Sequence, residues 1–159
     1  MHALVGFLAD PIKASRASTY LAQIGATEAA PEIERLLSAS QPYIRVAAVA
    51  ALGKLRARDA AGSVEHLARG DQNQAVRSFA LVALAEILGP DARPTIRSAV
   101  ADDPDWRTRR AAALALGLVG DREDLNILSS AAAEEPRWRR RRYHQARRAI
   151  RRRARRPAG

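Results

Sequence analysis

Apolar side chains recur along this chain with a helical period. Ile44, Ala47, Ala48, Ala51, Leu52 and Leu55 fall at i, i+3, i+4, i+7, i+8 and i+11, one broad face of an amphipathic helix. Val76, Ala80, Ala83, Leu84 and Ile87 repeat the pattern. Between such stretches lie shorter helical segments: "PEIERLLSA", "AGSVEHLAR", "RPTIRSAVA" and "DLNILSSAAA". Asp10-Pro11 and Asp103-Pro104 each pair a capping side chain with a proline suited to the first helical position. Gly25, Gly89 and Gly120 follow the longer helices as stop signals. The pattern predicts long and short helices in alternation.

The helices repeat as a set. "PYIRVAAVAALGKL" (42–55), "QAVRSFALVALAEI" (74–87) and "WRTRRAAALALGLV" (106–119) align without gaps at a spacing of 32 residues. Arg45, Arg77 and Arg109 keep that spacing, as do Leu52, Leu84 and Leu116, and Leu55, Ile87 and Val119. It extends to Arg141, and places Trp138 one repeat after Trp106. A helix pair repeating at this length predicts an all-α chain, an α-solenoid. It divides into five units, about 1–25, 28–56, 59–89, 91–120 and 121–156, forming one domain with a disordered end at 157–159.

An acid six residues before the arginine, followed by an A-x-x-A-L-G-like run, resembles HEAT repeats, in particular the short bacterial type named after phycobilisome lyases. The motif reads Asp71…Arg77, Asp103…Arg109 and Glu135…Arg141. The resemblance implies a first helix A on the convex side and a second helix B, carrying the arginine, on the concave side. It also implies a ladder between units built from Arg45, Arg77, Arg109 and Arg141 with Asp71, Asp103 and Glu135. Arginine's planar fork can hold a carboxylate in fixed geometry. Two units depart from the motif. Ala39 stands where the acid before Arg45 belongs, and in the first unit either Ala14 replaces the arginine or the alignment slips to Asp10…Arg16.

Composition narrows the chemistry. The 159 residues are 47% hydrophobic but only 4% aromatic, so the core is built of Ala, Leu, Val and Ile, which favours packed helices over sheets. The absence of cysteine excludes disulfides, thiolate metal sites and a cysteine nucleophile, and fits a reducing cytoplasm. The start has no basic n-region, and the apolar runs are too short to span a bilayer. Arginine outnumbers lysine 25 to 2, which together with abundant alanine points to a GC-rich bacterial coding sequence. His2, His66 and His144 form no metal-binding spacing, and no phosphate loop or nucleophile elbow is present, so no catalytic site and no cofactor are expected.

Charge is unevenly placed. The 15 cations of residues 1–136 face 17 acids, a net −2, whereas Arg137–Arg156 holds 12 arginines and no acid. Arg148 and Arg151 fall, by the 32-residue spacing, where earlier units place buried leucine and valine, so this last helix is expected to cap the solenoid. Its uniform sign suggests an anionic partner as well. Trp106, Arg107, Arg110, Trp138, Arg139, Arg142, Arg148 and Arg151 are the candidate partner-binding residues. Three readings follow. The first is a monomeric protein-interaction scaffold whose partner, expected to be acidic, binds the concave face. The second is a nucleic-acid-binding module using the Trp/Arg patch and the last helix. The third is an accessory lyase or a DNA-glycosylase-like enzyme, for which Asp105 beside the tryptophans is the one invitation. A membrane-lying helix is disfavoured, because the apolar stripe of the last helix is mostly alanine.

Overall fold

A computed structural model describes residues 5–10 and 12–155. His2, Pro11, Arg156 and the expected disorder of 157–159 lie outside the described residues. Among those described, every regular element is helical. The α-helices are α1 (Ala14–Gln23), α2 (Ala30–Arg35), α3 (Pro42–Leu55), α4 (Ala61–Gly70), α5 (Gln74–Leu88), α6 (Arg93–Asp102), α7 (Trp106–Val119), α8 (Asp124–Glu134) and α9 (Arg141–Ala154). Short 3-10 turns join several of them, including Arg58–Ala60, Gly89–Ala92 and Arg137–Arg139.

The B helices α1, α3, α5, α7 and α9 pack side by side in chain order. The A helices α2, α4, α6 and α8 each back onto the B helix that follows them. This nearest-neighbour stacking is the expected α-solenoid. The period-32 leucines Leu52, Leu84 and Leu116 are fully buried, joined by Ile33, Val64, Ile96 and Leu128 from the A helices. The inner B helices α3, α5 and α7 are therefore each covered on the back by an A helix and on both flanks by their neighbours. One long stripe of each stays open.

Small residues set how closely the B helices approach. A methyl group on Gly53 of α3 would come within 2.9 Å of the Ala83 Cβ of α5. One on Gly117 of α7 would come within 2.9 Å of the Ala146 Cα of α9. The first pair is 30 residues apart and the second 29, so α9 is displaced by one residue from the 32-residue register. The 3-10 turn at Arg137–Arg139 absorbs the missing residue. This corrects four expectations. Arg140, not Arg141, takes the ladder position. Arg147, not Arg148, stands at the leucine position and is half-buried. Arg148 corresponds to Gly117 and Arg151 to Gly120, and both are exposed. Trp138 corresponds to Arg107 rather than to Trp106. Tyr143, Ala146 and Ile150 fill the buried face of α9.

Helix ends follow local chemistry. Asn73 caps α5 by accepting the N–H groups of Ala75 and Val76, and Asp105 caps α7 by accepting that of Arg107. Asp103, expected to cap α7, lies two residues too early and ends α6 instead. After α1, the left-handed Gly25 (φ 72°) allows the Ala26 N–H to reach the Leu21 carbonyl. After α3, Arg56 adopts the same conformation (φ 51°), and the Ala57 N–H reaches the Leu52 carbonyl. Gly120, by contrast, has an ordinary φ of −69°.

Candidate functional site

The period-32 arginines form rungs between successive units. Arg45 donates through Nε and Nη2 to the two oxygens of Asp71, at 2.7 and 2.8 Å. Arg77 meets Asp103 in the same way at 2.8 and 3.0 Å. Arg109 places both nitrogens on the Oε1 of Glu135. The remaining nitrogen, Nη1, donates to the carbonyl six residues back: Ala39, Asp71 and Asp103 in turn. Arg140 takes the corresponding carbonyl, Glu135, only five residues back, as the register slip requires. Asp71 also accepts the Asn73 N–H at 2.8 Å. Burial pushes its carboxyl upward, but Arg45 and this N–H together hold it below the ordinary aspartate value. The first unit has no rung: Ala14 is buried at the arginine position and Arg16 is exposed.

A second row, on the A helices, escaped the sequence reading. Ser63 donates to Glu34 at 2.6 Å, Thr95 donates to Glu65, and Arg97 binds the fully buried Asp124. Its signal was present in the spacing: Glu34 and Glu65 are 31 residues apart, Ser63 and Thr95 are 32 apart. Short polar side chains give no hydrophobic period, so nothing drew attention to them.

Apart from the half-buried Arg147, the arginines of the last helix and of the turn before it fall into two groups. Some hold the helix in place. Arg140 donates to the Glu135 and Ala133 carbonyls at the end of α8. Arg153 donates to the Gly117, Leu118 and Gly120 carbonyls at the end of α7. Both put a cation on exposed carbonyls at a helix C-terminus, where the helix dipole favours it. Arg139 pairs with Glu135 at 3.4 Å. The second group is exposed: the side chains of Arg137, Arg141, Arg148, Arg151, Arg152 and Arg155 make no hydrogen bond or ion pair among the described residues. Arg142 reaches only Gln145, at 3.2 Å.

The two tryptophans meet where α7 and the 3-10 turn begin. Their rings are 5.8 Å apart at 75°, an edge-to-face pair. Arg139 lies 4.3 Å from the Trp106 ring and 4.5 Å from the Trp138 ring. Arg107 and Arg110 lie 4.8 and 5.3 Å from Trp106. Stacking on an aromatic face fixes a guanidinium while leaving its N–H edge free to donate. Five of the candidate residues are thus gathered at one place: Trp106, Arg107, Arg110, Trp138 and Arg139. Arg148 and Arg151 lie on the outer flank of α9, apart from this cluster. Asp105 is occupied as the cap of α7 and pairs with Arg107 at 3.7 Å.

The open stripe of the B helices carries features the sequence reading passed over. Tyr43, Phe79 and Leu118 are 55%, 48% and 58% exposed on three successive B helices. Val82 and Leu114 lie half-buried between them. Each occupies a position facing away from the helical core. Clefts also open along the ladder edge, one of roughly 870 Å³ beside Arg45 and Asp71 and one of roughly 340 Å³ beside Arg77 and Asp103. They recur at the same place in successive units, so they belong to the repeat rather than to a special site. Among the described residues, no group of three or more His, Asp or Glu side chains could hold a metal ion, and no helix is long and apolar enough to cross a membrane.

No curated protein matches the sequence. A family model described as HEAT repeats matches residues 3–80 and, overlapping it, residues 63–151. Overlap of this kind is natural for stacked units, each of which serves equally well as the end of one match or the start of the next. HEAT repeats commonly act as scaffolds for protein interactions. With the paired helices, the nearest-neighbour packing and these matches over nearly its whole length, the chain belongs to the HEAT-repeat family.

Proposed function

We propose that this protein is a non-catalytic scaffold that holds a segment of another protein along its B-helix face. The observation that carries this reading is the apolar track of Tyr43, Phe79 and Leu118, exposed across three successive helices. Large apolar side chains in a contiguous track mark interaction surfaces, whereas isolated ones are ordinary. The open stripe of α7 that carries Leu114 and Leu118 begins at Arg107, about 16 Å along the helix from Leu118, where the Trp106–Trp138 pair and its three stacked arginines lie. The partner segment suited to it has apolar side chains along its length and a carboxylate cluster at one end. Arg107, Arg110, Arg139 and Arg142 are the residues proposed to receive that cluster. The acid-x₅-Arg motif supports the finer likeness to the short bacterial HEAT type.

The test begins with a photo-crosslinking residue at Phe79 or Leu118, which labels the partner in nuclease-treated extract. The labelled protein is then purified and titrated calorimetrically. Phe79→Asp combined with Leu118→Asp weakens binding by about thirtyfold, the size of a truncated interface hot spot. Both positions are exposed, so thermal stability stays near wild type. A labelled partner that binds this double variant as tightly as wild type overturns the reading.

A further inference from the structure

We infer that the outer flank of α9 binds the backbone of a single-stranded nucleic acid, with Trp138 as a stacking platform at its edge. The arginine row is separate from the apolar track, and Trp138 adjoins Arg137 of the row on one side and the Trp106 ring on the other. Arg137, Arg141 and Arg148, with His144 and Gln145, line an open cleft of roughly 450 Å³ that contains no carboxylate. Arg152 continues the row one turn beyond Arg148. Along the helix, Arg141, Arg148 and Arg152 are spaced by roughly 10 and 6 Å, from a rise of about 1.5 Å per residue. On an extended strand the shorter step suits neighbouring phosphates, and the long arginine side chains reach across the wider one. The row is held rigidly, because Arg140 and Arg153 fix the two ends of α9 to the carbonyls of α8 and α7.

The chemistry selects among anionic partners. The large apolar residues of α9, Tyr143 and Ile150, are buried in the solenoid and only alanines remain outside it, so the outer flank has nothing sizeable to insert into a lipid surface. It also lacks the desolvated apolar pocket around which protein interfaces concentrate their affinity. Phosphate binding needs neither: guanidinium groups neutralise the charge and release counterions. Trp138, next to Arg137, is 69% exposed. Among polyanions only nucleic acid offers a base to stack on it, and unpaired bases are the accessible ones.

The test uses the full chain and a fluorescent thymidine oligomer of about 12 nucleotides, within the site sizes usual for single-strand binders. Anisotropy at about 50 mM salt shows binding, and a salt series gives a log–log slope near −2, for three phosphates at about 0.7 each. Arg141→Gln with Arg148→Gln reduces the slope by ~1.4, whereas lysine at both positions retains it. Trp138→Ala weakens the oligomer about tenfold and leaves heparin unaffected. In a Trp106→Phe background, the oligomer quenches the fluorescence of Trp138. Phe79→Asp with Leu118→Asp leaves oligomer binding unchanged, which separates this site from the protein-binding track. No binding at ~50 mM salt, indifference to the arginine or Trp138 variants, or tighter binding to polyglutamate, duplex DNA or phosphatidylserine vesicles overturns the inference.

Discussion

Asp71 and Asp103 each hold three donors: two guanidinium nitrogens from the preceding unit and the N–H two residues ahead. With both oxygens satisfied, a carboxylate can remain charged in the crease between units. Removing one partner leaves the other buried and alone, which costs far more than an exposed pair is worth. Arg77→Ala is therefore expected to destabilise the fold by about 3 kcal/mol. Arg141→Ala should stay within about 0.5 kcal/mol of wild type. Urea unfolding measures both, and equal losses would refute the assignment of Arg140 to the ladder. The arginines of the rungs were legible in the sequence because three of them share one spacing. The slip at the fourth was not, for a simple reason. In "RWRRRR" a shift of one residue still finds an arginine, so the alignment looks intact. The packing of Ala146 on Gly117 and the reach of Arg140 to the Glu135 carbonyl distinguish the two registers.

Helix spacing depends on single atoms. Gly117 sits where α9 crosses α7, and an added methyl group meets backbone, which cannot swing aside as a side chain can. Gly117→Ala is expected to cost about 1–3 kcal/mol through overpacking. Gly62→Ala, on α4 with nothing within 4 Å of the new methyl, should gain up to ~0.5–1 kcal/mol, since alanine favours helix over glycine. Thermal unfolding of the two variants should move in opposite directions; a shift of the same sign would mean that propensity rather than packing governs both sites. Helix order and core faces were readable from the 3.6-residue period. Boundaries were less so: at Asp103-Pro104 the expected cap and proline form a turn, and Asp105 opens the helix. Both aspartates can cap a helix, and sequence alone does not say which one the next unit's arginine has already claimed.

Across the molecule, stability is shared between neighbours, as in any stack whose units touch only those beside them. The stack is not uniform. The first unit has no rung to the second, since Ala14 and Ala39 occupy the two positions, so apolar packing alone joins α1 to α3. Hydrogen exchange should find α1 opening at the lowest free energy and α5 near the highest. Equal protection from α1 to α9 would show that the rungs add little cooperativity. The family and its architecture were plain from the repeat. The open face of the B helices was not, because Tyr43, Phe79 and Leu118 stand at different heights on their helices and share no spacing. The basic flank has one further consequence. On the first unit, Ile12, Tyr20 and Ile24 are exposed, a surface of the kind one stacked unit offers another. If the opposite flank were equally bare, copies of the protein could join head to tail, a contact that does not close and so grows into filaments. Arg148, standing where Gly53 and Gly117 admit the next helix, places a long charged side chain across that approach.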